Sequence, residues 1–248
     1  MGLGVPTTKL VYDFLRKRDG IVTGAENRIP VVDIISYLNE FQEIWFNNSV
    51  KEAERNQEAS NELRPFLKLK VALELKKVDD NTLLAKYPID FHTRLSAISD
   101  ICGIDCCVNT DKMVNLRILP LDKLHKARKN PFQRSDYQFE RLLAHTSTDG
   151  LYIYHDNKIN VKEVVIDYYR KPNELHAPSL EDCDGKHYYN YKGEIITEDT
   201  EFEGGIYSDN FISDGASILA AADKKEIASF DLAIKRFLQS RDLYSIRD

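Results

Sequence analysis

Three of the four cysteines stand within six residues, in Cys102-Gly-Ile-Asp-Cys106-Cys107, and the fourth is Cys183. A thiol can attack a carbonyl once a base removes its proton, so any of the three could pair with a distant histidine in a small cysteine-dependent hydrolase. A structural zinc would need four ligands at set spacings. The six histidines (His92, His125, His145, His155, His176 and His187) never fall three to five residues apart. Adjacent cysteines rarely bridge each other, and a disulfide framework would be spread more evenly along a shorter chain. Buried, reduced thiols are the better expectation, with no metal and no cofactor. The carboxylate pairs Glu181-Asp182 and Glu198-Asp199 lie in turn-rich polar stretches and read as solvated surface. The chain holds no phosphate loop, no dinucleotide-binding glycine motif, no nucleophile elbow and no zinc-protease helix. No catalytic residue is assigned.

Aromatic and basic residues offer binding rather than catalysis. Trp45 falls on an apolar helical stripe and is expected in the core. Tyr188, Tyr189 and Tyr191 lie on a segment punctuated by the turn pairs Asp184-Gly185, Lys192-Gly193, Gly204-Gly205 and Asp214-Gly215. Tyrosine offers large contact area with a polar tip, so a partner surface is as good a reading there as a core. The densest cationic stretch is Lys123-Leu-His125-Lys126-Ala-Arg128-Lys129. It reads first as a solvated helix face. The alternatives are a nucleic-acid backbone, an acidic partner, or the Glu-rich surface of an identical neighbour. Ser49 to Asn61, with Glu52, Glu54 and Arg55, is wet on nearly every face and suits a solvated arm or a partner contact. The candidate interface residues are therefore Tyr188, Tyr189, Tyr191, Glu52, Glu54, Arg55, Lys126, Arg128 and Lys129.

The elements that position these residues follow from composition and period. In 248 residues, 42% are hydrophobic, 30% charged and 10% aromatic, the profile of a globular chain long enough for one large domain or two small ones. Lys plus Arg number 34 against 40 Asp plus Glu, a net charge of −6. That balance argues against a main surface built to grip nucleic acid. No apolar run reaches the length of a membrane span, and Met1–Pro6 lacks the pattern of a secretory signal, so a soluble, unexported chain is expected. Leu10, Val11, Phe14 and Leu15 mark a helix over 7–18. Pro30 then opens a second, whose stripe Val31, Ile34, Leu38, Phe41 and Trp45 runs about 21 Å. Together they predict a helical hairpin. Leu67, Leu69, Val71, Leu73 and Leu75 alternate as in a half-buried strand. Further strands are expected at 113–119, 151–155 and 161–169, the last two as a hairpin across His155–Lys158, with a short helix at 121–128. A closing helix is expected over 216–240, with Ile227, Phe230, Ile234 and Phe237 on one face. The expected fold is α+β: an antiparallel β-sandwich (or small barrel) body, an N-terminal helical hairpin and a C-terminal helix. The expected division is 1–62 hairpin and polar arm, 63–180 strand body, 181–215 Tyr/Gly-rich excursion and 216–248 helix.

The order of four motifs resembles a known group. They are Asn39-Glu-Phe-Gln-Glu-Ile-Trp45, Glu62-Leu-Arg-Pro-Phe66, Lys129-Asn-Pro-Phe-Gln-Arg-Ser-Asp-Tyr137 and Ile166-Asp-Tyr-Tyr-Arg-Lys-Pro172. Over roughly residues 8–180 the chain resembles virion structural proteins of short-tailed phages, most closely the ring or head-to-tail connector proteins of crAss-like bacteriophages. The resemblance implies a non-enzymatic ring subunit made in the host bacterial cytoplasm and placed in the virion at the head-to-tail interface. Its partners would be itself in a closed ring of twelve, the portal protein, and other connector or tail ring proteins. Genomic DNA would pass transiently, and no membrane would be involved. The rivals are the cysteine hydrolase and a nucleic-acid adaptor using Lys123–Lys129.

Overall fold

A computed structural model describes residues 4–19, 29–53, 55–103, 111–156, 158–178, 188–189, 195–196, 199–204, 209–223 and 234. In chain order its elements are β1 (Val5–Pro6), α1 (Thr7–Asp19), α2 (Val31–Ala53), α3 (Gln57–Glu62) and a 3-10 turn at Arg64–Phe66. There follow β2 (Leu67–Ala72), β3 (Glu74–Asp79), β4 (Thr82–Lys86), β5 (Phe91–Gly103), β6 (Lys112–Ile118), α4 (Leu121–Lys129), β7 (Leu142–Thr146), β8 (Gly150–Tyr154) and β9 (Ile159–Arg170). The last described elements are β10 (Ala177–Pro178), β11 (Tyr188–Tyr189), β12 (Ile195–Ile196), β13 (Glu201–Phe202) and α5 (Asp209–Asp223). It forms two compact units: a helical unit of residues 1–66 and 172–248, and a strand unit of residues 67–171. The fold is α+β. Among the described residues no helix is long and apolar enough to cross a membrane.

In the helical unit the expected α2 stripe faces inward. Ile34 and Leu38 are fully buried, and Trp45 packs edge-on against Phe66 at 6.1 Å and Phe202 at 5.7 Å. The Pro30 carbonyl accepts hydrogen bonds from the Asp33 and Ile34 N–H groups, so this proline caps the helix. The expected hairpin needs amending, because α1 and α2 each pack mainly on α5 and only lightly on each other. The polar arm is also less wet than expected. Helix α2 continues to Ala53 and buries Ser49 and Val50, and a turn at Arg55–Asn56 then leads into α3.

Helix α5 begins at Asp209, not near 216, and so includes Asp214-Gly215, which the sequence pattern suggests as a turn. Packing explains both residues. Asp214 is buried and paired with Lys17 at 2.8 Å, and a Cβ on Gly215 would lie 2.0 Å from the Phe41 ring. Glycine serves there as a close-approach residue, not as a turn former. Ile234 is helical, while Ile227, Phe230 and Phe237 lie outside the described residues.

The strand unit is one eight-stranded sheet in the order β2-β9-β5-β6-β7-β8-β4-β3. Every pair is antiparallel except β6–β7. Its end strands β2 and β3 are consecutive in the chain, joined by Leu73 alone, whose N–H reaches the Val164 carbonyl. The sheet therefore curls around a single interior that includes Ala85, Ile101, Leu116, Leu142, Ile153 and Ile166.

Two expectations fail within this sheet. The alternation from Leu67 to Leu75 breaks at a bulge between Lys68 and Val71, where Lys70 adopts a left-handed φ of 53°, leaving Leu69 61% exposed. One carboxylate holds that bulge and its counterpart in β5. Asp167 accepts the Lys70 N–H at 2.8 Å and the Ser96 hydroxyl at 2.6 Å. The 151–155 and 161–169 segments are strands, but they do not pair. Both edges of β8 are taken by β4 and β7, and β9 lies between β2 and β5. The expected turn does form, with the Lys158 N–H on Asp156 Oδ1 at 3.0 Å. It redirects the chain to another part of the sheet instead of folding it back.

Candidate interaction surface

Parallel neighbours cannot be joined by a tight turn, so β6 and β7 require a crossover. That crossover carries the surface of interest. The Pro120 carbonyl accepts the Lys123 and Leu124 N–H groups to start α4. Leu124 and Ala127, three residues apart, point inward and cluster with Leu143, Leu119 and Tyr154. Leu143 and Tyr154 alternate with the inward-facing Leu142, Ala144 and Ile153. Helix α4 therefore covers the face of the sheet opposite its interior.

The same 3.6-residue period turns Lys123, His125, Lys126, Arg128 and Lys129 outward, all exposed. Asp122 in the first turn and Lys126, Arg128 and Lys129 in the last complement the helix dipole. Arg128 also lies 4.5 Å from the Tyr154 ring centroid. Burial raises the phenol's pKa above its usual value, and the nearby guanidinium opposes that shift.

The return from α4 to β7 is an ordered loop. Asn130 accepts the Phe132 N–H on its side chain and the Gln133 and Arg134 N–H groups on its carbonyl, each at 3.0 Å. Asp136 accepts the Gln138 N–H at 2.8 Å and the Phe139 N–H at 3.2 Å. Backbone bonds tie Asp136 to Arg141 in both directions, and the Arg141 guanidinium donates to the Phe132 carbonyl. The buried Ser135 hydroxyl donates to the Tyr154 carbonyl and accepts the Leu143 N–H. At the start of β6, Lys112 pairs with Glu140 at 3.0 Å and sits 4.9 Å from the Tyr137 ring centroid. With these bonds made, the loop still presents Phe132 at 84% exposure and Phe139 at 68%. Met113, near the start of β6, and Leu121, the first residue of α4, are exposed as well.

Of the residues singled out from sequence, the structure brings Lys126, Arg128 and Lys129 together on α4. Glu52 and Arg55 are exposed at the end of α2, with the Arg55 N–H on the Glu52 carbonyl. Tyr188 and Tyr189 form β11, paired with β10 and β12. Glu54 and Tyr191 lie outside the described residues, as do Cys106, Cys107 and Cys183. Cys102 is buried in β5. Among the described residues no three His, Cys, Asp or Glu side chains gather as a metal site. Sequence reasoning missed Phe132 and Phe139. The available signal was their setting: large apolar residues in a polar stretch with turn chemistry and no apolar period. Against known proteins, no family model and no curated protein matches the chain.

Proposed function

We propose that this chain is a non-enzymatic virion structural protein, one subunit of a closed ring of twelve in the head-to-tail connector of a short-tailed phage. The ring forms part of the conduit below the portal through which the genome leaves. The observation that carries this reading is the 130–141 loop. A segment whose backbone is tied down by Asn130, Asp136 and Arg141 while two phenylalanines face water has the character of a protein–protein surface. The motifs behind the resemblance lend support by their positions. Lys129–Tyr137 runs through this loop, while Glu62–Phe66 and Ile166–Pro172 mark the two passages between the units. Within the same reading, the halves β2-β9-β5-β6 and β7-β8-β4-β3 act as the two layers of a sandwich around their shared interior. The partners are further copies of the chain, the portal and the neighbouring ring proteins.

Electron microscopy of the purified chain, alone and mixed with the portal protein of the same phage, tests this. Rings, free or seated on the portal, are expected. A chain that stays monomeric and never docks would overturn the reading. The cations on α4 favour one alternative, a nucleic-acid adaptor, which predicts duplex binding that weakens steeply with salt.

A further inference from the structure

The two units carry opposite charge. The strand unit has 18 Lys and Arg against 14 Asp and Glu, a net of +4. The helical unit has 16 against 26, a net of −10, and the two together make the chain's −6. Within the strand unit, positive charge is concentrated on α4, whose exposed cations lead directly into the loop bearing Phe132 and Phe139. On the helical unit, the outward stripe of α2 presents Glu40, Glu43 and, at its end, Glu52 around the exposed Ile44, with Lys51 as a cation among them. One surface is basic with apolar side chains, the other acidic with an apolar side chain.

We infer that the α4–loop surface of one copy docks on the outer face of α2 in a second copy, through α4 cations against α2 carboxylates and Phe132 beside Ile44. The inference deepens the ring reading and rests on it for closure, because two unlike surfaces meeting head to tail generate rings or filaments instead of closed pairs. A second copy fits better than a polyanion, because phosphate contacts alone give no role to two exposed phenylalanines. The complementary acidic surface, by contrast, belongs to the same molecule and is present at equal concentration.

Charge reversal of the full chain tests the contact. Lys126→Glu with Lys129→Glu makes both surfaces acidic, and Glu40→Lys with Glu43→Lys makes both basic. By sedimentation velocity at low salt, each variant alone is expected to self-associate at least about tenfold more weakly than the native chain. An equimolar mixture restores association, because each variant then meets its complement in both directions. Circular dichroism establishes that both variants are folded, and restoration by mixing excludes misfolding independently. Phe132→Ala is expected to weaken association without changing its salt dependence. The proposal is overturned if the native chain does not associate up to high-micromolar concentration, if the reversed variants associate as the native chain does, or if mixing restores nothing. Loss of duplex DNA binding in the Lys126→Glu/Lys129→Glu variant, without any self-association in the native chain, would assign the surface to a polyanion instead. Rings on the portal that survive charge reversal would leave the ring reading standing and remove this contact. Restored association with no portal docking would do the opposite.

Discussion

The two units hold themselves together by different means. In the helical unit, polar side chains do structural work in the interior. Thr7, fully buried, donates to the Thr200 carbonyl at 2.7 Å, and Thr8 donates to Asp199 at 2.6 Å. Asn39 clasps the backbone of Leu175 in both directions, Gln42 donates to the Asn173 carbonyl, and Lys17 pairs with the buried Asp214. In the strand unit the interior is overwhelmingly apolar, and the ion pairs Lys77–Asp80 and Lys162–Asp111 are on the surface. The difference follows from how each is assembled. A sheet satisfies its own backbone through the ladder, so its side chains are free to be apolar. The helical unit brings segments from both chain ends against helices whose backbones are already bonded, so side chains must satisfy the incoming irregular backbone.

The contrast is broken most forcefully at Lys17. Lys17→Ala leaves the Asp214 carboxylate buried without its cation and is expected to cost about 3 kcal/mol, the low end for a buried pair because the lysine keeps some contact with water. Replacing both partners by apolar residues, Lys17→Met with Asp214→Leu, recovers most of that loss. Lys77→Ala, at a fully exposed pair, leaves stability indistinguishable from the native chain. Urea denaturation followed by circular dichroism measures all three. Equal effects of Lys17→Ala and Lys77→Ala would erase the distinction between the units.

A smaller effect sharpens it. Asn39→Ala strips the fully buried Leu175 of partners for both its N–H and its C=O, at a cost of about 2 kcal/mol. Amide hydrogen exchange is expected to show faster exchange at Leu175 with no change along β9. Unaltered exchange at Leu175 would mean that water replaces the amide and that the clasp is not structural.

What the sequence reveals cuts across the two units. Helix α2 and strand β9 are readable because each has one apolar face with a clean period: Ile34, Leu38 and Trp45 in the first, Val164, Ile166 and Tyr168 in the second. Strand β5 escapes because three bulges interrupt its alternation and Thr93, Ser96 and Ser99 dilute its apolar character. The union of the chain ends also escapes. It rests on Val5 pairing with Phe202 and Thr7 with Thr200, two-residue contacts too short to show a period. For the candidate surface, the basic face of α4 shows in the spacing of its cations, whereas Phe132 and Phe139 sit in a loop, where periodicity says nothing about exposure.

Among the substitutions expected to lower stability, the smallest loss lies in the strand unit, at a phenol packed into its largely apolar interior. Tyr168 is buried, its ring 5.6 Å from Phe91, which stacks on Tyr87 at 3.8 Å, and its hydroxyl donates to Asp90 at 2.8 Å. Burial, then the hydrogen bond to Asp90 and that carboxylate's charge, push the phenol up to about 12. In the unfolded chain a tyrosine ionises near 10. Below that pH the phenol is protonated in both states, and its contribution to stability is fully present. As pH rises from about 10 to 12 the unfolded chain loses its proton first, so stability falls, and the contribution is gone once the folded phenol ionises. Tyr168→Phe gives up the bond to Asp90, costing about 1 kcal/mol at neutral pH. In exchange, its stability-versus-pH curve runs flatter across that alkaline window. Denaturant midpoints collected from pH 8 to 12 would decide the point, and curves that stay parallel throughout would place the alkaline sensitivity elsewhere than at Tyr168.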